Sequence, residues 1–223
     1  MRINLFPVVA AVALGLGAVS VESMSSARLD ELRTVSGQVL RSTKTPKVEL
    51  RFDNQFKYAG SQDFILYDVA RAEQYFFVDA DKQGRISRMY WVQFEGYLPS
   101  NTNTYRYKPN KTVKLGGLEF IADAYARNVK ATPGRPDSDG ARARAFLEGK
   151  GYRMPGDDIL SQRLVHLVDQ SKRDELMIIY LEDFSPTGLT ASDVSPTGPA
   201  AYRWEPICAG LLERASRWMK VSP

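Results

Sequence analysis

The stretch RISRMYWVQFEGYL, residues 85–98, constrains the fold most, because large apolar side chains stand at both parities of a strand. Successive strand residues point to opposite faces, so Ile86, Tyr90, Val92, Phe94 and Leu98 fall on one side and Met89, Trp91 and Tyr97 on the other. Such a strand has no wet face: either it is buried on both sides, or one side lines an aromatic cavity. The segment VELRFD, residues 48–53, is the opposite case: Val48, Leu50 and Phe52 alternate with Glu49, Arg51 and Asp53, the pattern of a strand with one solvated face.

From Phe56 to Tyr97 the chain is dense in aromatic and β-branched residues, which favour a pleated, half-buried surface. Strands are expected at DFILYDV (63–69), EQYFFVDA (73–80) and 85–98, with a further pair at TYRYK (104–108) and TVKLGGLEFIADAYAR (112–127), where Gly116 and Gly117 suggest a bulge or bend. Residues 159–169 and 174–183 form a second hairpin around QSKR. Helices are expected at 26–37, capped by Ser26 and ended by Gly37; at 138–149, with Ala145, Phe146 and Leu147 toward the core; and at 204–220, where Ile207, Leu211, Ala215 and Trp218 make an apolar stripe. The fold class that follows is α+β: a strongly curved antiparallel sheet or half-barrel, covered on one side by helices that include a C-terminal amphipathic one.

The chain has 223 residues, 43% of them hydrophobic and 25% charged, which suits one globular domain over 21–223, β-rich at about 47–127 and helix-hairpin-helix at about 138–220. Residues 1–20 read as a signal peptide: Arg2 precedes a fifteen-residue apolar run from Leu5 to Val19, and Ala18 and Ser20 are small residues at the cleavage positions. Pro7, Gly15 and Gly17 interrupt a run already short of the roughly 20 residues a spanning helix wants. A periplasmic or secreted protein without a membrane span after cleavage is therefore expected. Loss of Arg2 lowers the formal charge of +4 by one, too weak a balance for a nucleic-acid partner. Cys208 is the only cysteine, so the fold relies on its core rather than on a disulfide.

Candidate chemistries are few. DADKQGRISRMY, residues 79–90, matches a calcium loop at Asp79, Asp81 and Gly84, but Gln83 is a neutral fifth ligand and Tyr90 stands where a bidentate glutamate should close the shell. With strand-like flanks, it reads as a hairpin loop with Gly84 at a positive dihedral, and Asp79, Asp81 and Gln83 are only a weak metal alternative. His166 is the sole histidine and alternates into a strand; as a general base it would need Asp169, Asp183 or another carboxylate to orient it. No nucleophile elbow, S-x-x-K motif or glycine-rich phosphate loop accompanies it. No cofactor is called for. The expectation is a non-catalytic domain binding a small apolar or amphipathic ligand in an aromatic-lined cavity of the sheet, with Tyr58, Tyr75, Arg88, Tyr90, Trp91 and Tyr97 as ligand-binding residues. The alternatives are a hydrolase built on His166 and a cell-envelope module that binds a protein partner through a sheet edge or the 185–199 loop.

Overall fold

A computed structural model describes residues 32–108 and 111–223 of the chain as two antiparallel sheets and two α-helices, an α+β architecture. The elements are β1 (Arg33–Ser36), β2 (Val39–Ser42), β3 (Val48–Phe52), β4 (Lys57–Leu66), β5 (Ala70–Ala80), β6 (Ile86–Tyr97), β7 (Thr112–Leu115) and β8 (Leu118–Asn128). They continue with α1 (Asp139–Gly149), β9 (Asp158–Leu167), β10 (Asp174–Asp183), α2 (Trp204–Arg217) and β11 (Met219–Ser222). The signal segment at 1–20 and the first part of the helix expected at 26–37 lie outside the described residues. Among the described residues no helix is long and apolar enough to cross a membrane.

The smaller sheet runs β1-β2-β3-β11 and the larger β4-β5-β6-β10-β9-β8-β7; both are open, with β4 and β7 as the edges of the larger. The 158–183 hairpin is thus inserted between β6 and β8, so strands from both halves of the sequence share one sheet. β6 is covered on both faces. Tyr90, Val92 and Phe94 join a core with Leu50 and Phe52 of the smaller sheet and Leu211 and Ala215 of α2. Met89 and Trp91, on the other face, pack with Ala143 and Leu147 of α1.

Several expectations are corrected. The helices lie on opposite faces of the larger sheet rather than on one side, because the apolar sides of β6 each need a cover. Residues 33–36 are a strand and not the end of a helix: Gly37, at φ +58°, closes a β1–β2 hairpin in which Val35 faces Leu40. Of the two forms expected at Gly116 and Gly117, the bend is found: at φ +55° and +85° they form the tight turn between β7 and β8, while TYRYK is not a strand. Ile86 packs with Met89 and Trp91 instead of with Tyr90. The cause is a bulge: Arg88 opposes Asp79 while Ile86 opposes Ala80, so Ser87 is an extra residue that flips the parity. Ala145 is exposed, and the core side of α1 is set by Ala143 and Leu147. The helix expected at 204–220 ends at Arg217, and Met219 starts β11, which pairs with β3.

Two ion pairs, one buried and one half-buried, join the layers. Arg33 of β1 donates through Nη1 to both carboxylate oxygens of Glu73 on β5 at 2.7 Å, with its guanidinium 3.9 Å over the Phe94 ring. Arg214 of α2 grips Glu182 of β10 with two hydrogen bonds of 2.7 and 2.8 Å. Such fork-shaped contacts fix orientation as well as distance.

Candidate functional site

The α1 face of the larger sheet carries two unusual features, one at each end of the helix. Under its later turns is a cavity of about 270 Å³. Ile86, Met89 and Trp91 of β6, Ile159 and Leu181 supply apolar walls, and Ala143 and Leu147 of α1 roof it. Arg127, Lys130, Arg144, Arg153, Glu148 and Asp157 are its charged residues.

Local geometry explains why helix and sheet stay apart here yet hold their places. Ser138 accepts the Ala141 N–H and starts α1 as an N-cap. Gly60, at φ +131° in a bulge of β4, lies so close to Phe146 that a Cβ would come within 2.9 Å of the ring. The loop that resembles a calcium site pins the opposite wall. Gly84, at φ +74°, leaves room for the Gly151 carbonyl, which a Cβ would meet at 2.0 Å. The Arg153 N–H donates to the Gly84 carbonyl at 2.9 Å and the Ile86 N–H to the Arg153 carbonyl at 2.8 Å.

Two donors of the lining are buried without an acceptor, Trp91 Nε1 and Arg127 Nε. A buried donor left unpaired costs about 1–3 kcal/mol. Lys130 has an ionic partner, Asp157, at 2.8 Å. Arg127 is half-buried on β8 and its guanidinium makes no hydrogen bond or ion pair with a described residue.

Beyond the first turn of α1 the same face turns polar. Gln62, Gln74 and Gln93 stand in register on β4, β5 and β6, and Gln62 donates to Gln74 at 2.7 Å and Gln74 to Gln93 at 2.8 Å. Gln93 donates on to Glu95, and Gln74 also reaches the Asp139 carbonyl at the start of α1. Glu95 lies directly opposite Glu175 of β10. Tyr105 and Tyr107, on the coil after β6, donate their hydroxyls to Glu95 at 2.8 Å and Glu175 at 2.7 Å. Burial pushes the Glu175 carboxyl up to about 8; the charge of Glu95 adds to that, while the Tyr107 bond and Arg163 oppose it. Burial raises Glu95 as well, with Asp139 adding and the Tyr105 and Gln93 bonds opposing.

The residues singled out from the sequence are scattered over this frame. Trp91 lines the cavity. Tyr58, Tyr75, Arg88 and Tyr90 belong to the opposite face. There Tyr90 is fully buried and donates to the Ala215 carbonyl at 2.7 Å, Tyr75 stands edge-on to Phe94, and Tyr58 packs against Phe77. Arg88 is engaged by Asp79 at 2.8 Å and Gln55 at 2.7 Å. Tyr97 stacks on Tyr105 and borders a separate polar recess with Glu95 and Glu175. Asp81 holds the 81–85 turn, accepting from the backbone N–H groups of Gln83 and Arg85 and from the Arg85 side chain, and these bonds keep its carboxyl below the usual range. Gln83 is exposed.

His166 donates through Nδ1 to the Glu119 carbonyl at 2.9 Å and lies against Phe120. Asp169 and Asp183 accept from Ser171 and Ser185 in their own turns. Asp183 pairs in register with Ile159, seven residues from His166, or about 23 Å at about 3.3 Å per residue. The structure therefore does not bring His166 and Asp183 together. On α2, Cys208 is half-buried and burial pushes its thiol up to about 11, away from nucleophilic use.

Arg127, Glu95 and Glu175 did not stand out in the sequence. Parity places Glu95 beside Trp91 and Tyr97, an acid on an aromatic strand, and that is the one signal available. Its meaning depends on which strand pairs with β6. The chain matches no protein-family model, no curated protein and no solved structure.

Proposed function

We propose that this chain is an exported, non-catalytic domain that binds a small amphipathic molecule in the cavity beneath α1. The observation that carries the reading is the cavity itself, apolar in its walls and charged at its rim, with Trp91 in its lining. Concave, mostly apolar sites with a few polar groups are where small ligands bind. At about 270 Å³ the volume equals roughly nine water molecules' share of the liquid, so the ligand has about ten non-hydrogen atoms. Export rests on the amino-terminal pattern of Arg2, the Leu5–Val19 run and the small residues Ala18 and Ser20. The reading treats 21–223 as one domain and includes the half-barrel curvature expected from the sequence, which would cup the ligand against α1.

The test is a titration of the isotope-labelled mature chain with eight-carbon amphiphiles, followed by proton–nitrogen correlation spectra. The Trp91 indole and the α1 amides from Gly140 to Glu148 are expected to shift saturably, with the Phe77 and Tyr90 amides unmoved. Shifts confined to other parts of the molecule, or none at all, would overturn the reading.

A further inference from the structure

We infer that the ligand of this cavity is a monocarboxylate with a short apolar body, its carboxylate held by Arg127. The inference rests on the ligand-binding reading above and adds the chemistry of the polar end. A guanidinium drawn partly out of water is costly to leave without a counter-charge. Elsewhere among the described residues every buried or half-buried arginine has an acceptor: a carboxylate for Arg33 (Glu73), Arg71 (Asp63), Arg88 (Asp79), Arg163 (Asp123) and Arg214 (Glu182), and backbone carbonyls for Arg142 (Asp137) and Arg173 (Leu98 and Asn103). Arg127 alone among the cavity's arginines is half-buried, and it has no such partner among the described residues.

Its surroundings leave the positive charge standing. Lys130 and Asp157 neutralise each other, which leaves Arg127 with the exposed Arg144 and Arg153 against the single exposed carboxylate of Glu148. Arginine presents a planar fork of donors that fits a carboxylate in two parallel bonds. One unpaired half-buried cation calls for one negative charge rather than the charge of nearly two on a phosphate monoester. The apolar walls take the rest of the molecule.

The experiment is calorimetric titration of the mature chain with octanoate, octanol, octyl phosphate and octyltrimethylammonium, repeated with Arg127→Gln and Arg127→Lys. Octanoate is expected to bind at least about tenfold tighter than octanol, the margin of a charge-assisted pair. Arg127→Gln should erase that margin and leave octanol unchanged, and Arg127→Lys should restore part of it. If octanol binds as well as octanoate, or if octyl phosphate or the ammonium binds tightest, the carboxylate assignment fails while the cavity reading stands. If none of the four binds the unmodified chain, both fail together. The four-ligand comparison on the unmodified chain decides the matter even if a variant does not fold.

Discussion

The two faces of the larger sheet are built from the same strands and reach opposite outcomes. On the α2 side, β6 meets a second sheet and a helix at once, and Phe52, Phe56 and Tyr180 each place their ring centroid 4.9 Å from that of Tyr90. On the α1 side the cover is a single eleven-residue helix, held at its start by Ser138 and Gln74 and pressed against a bulge at Gly60. One helix cannot fill the width of a seven-stranded sheet. What it leaves open is the cavity at one end and the buried acid pair at the other. Full packing gives stability, and the partly covered face holds the cavity and the two carboxylates whose protons burial retains.

The contrast in stability is the largest expected effect. Phe77 is fully buried on the sealed side and stacks on Phe52 at 4.1 Å. Phe77→Ala should cost about 3–5 kcal/mol in urea unfolding with an unchanged slope. A loss near 1 kcal/mol would mean that the sealed face is no better packed than the open one.

The acid pair gives the next effect, visible only against pH. Because Glu175 in the folded chain holds its proton up to about 8, against 4.5 as the ordinary value, the stability that its protonated form provides is fully present below 4.5 and is lost as pH rises toward 8. The slope over that window is up to about 1.4 kcal/mol per pH unit, levelling off above it. Glu175→Gln should flatten this part of the profile and leave the variant more stable than the parent at pH 9. Equal slopes in both proteins would show that the pair does not titrate there. Exchange protection of the 101–108 coil, which Tyr105 and Tyr107 tie to the pair, should fall over the same window in the parent alone.

Gly84→Ala tests the wall of the cavity. A side chain there must adopt φ +74° and displace the Gly151 carbonyl, for about 2 kcal/mol. The Arg153 and Met154 amide signals should move with it. The smallest effect is expected at Trp91→Phe, about 1 kcal/mol or less, since this wall borders open space and the change also removes an unpaired Nε1 donor. Its consequence should appear in ligand affinity instead.

How much of this was legible in the sequence follows the range of each signal. The alternation of Val48, Leu50 and Phe52 and the two-faced composition of β6 are local signals, and both stretches are strands. At residues 33–36 Leu32 and Val35 satisfy a helical spacing as well as a hairpin, and only pairing with β2 decides between them. Ile86 changed faces through one extra residue, Ser87, which no periodicity reveals. The site was harder still. Trp91 lines the cavity, whereas Tyr58, Tyr75, Arg88 and Tyr90 face the opposite core, because α1 and α2 cover opposite faces of the sheet. Arg127 and Glu175 become visible only once the β9–β10 hairpin is inserted between β6 and β8, a matter of topology.

The cavity is tested most directly by native mass spectrometry of the mature chain purified from an exporting host, beside Ala143→Phe, which fills the cavity from α1. The unmodified chain should carry a discrete non-covalent adduct, or take one up when octanoate is added, and the filled variant should carry none while keeping its circular dichroism spectrum. An adduct that survives equally in Ala143→Phe, or an unmodified chain that stays empty in excess octanoate, would contradict a ligand site beneath α1.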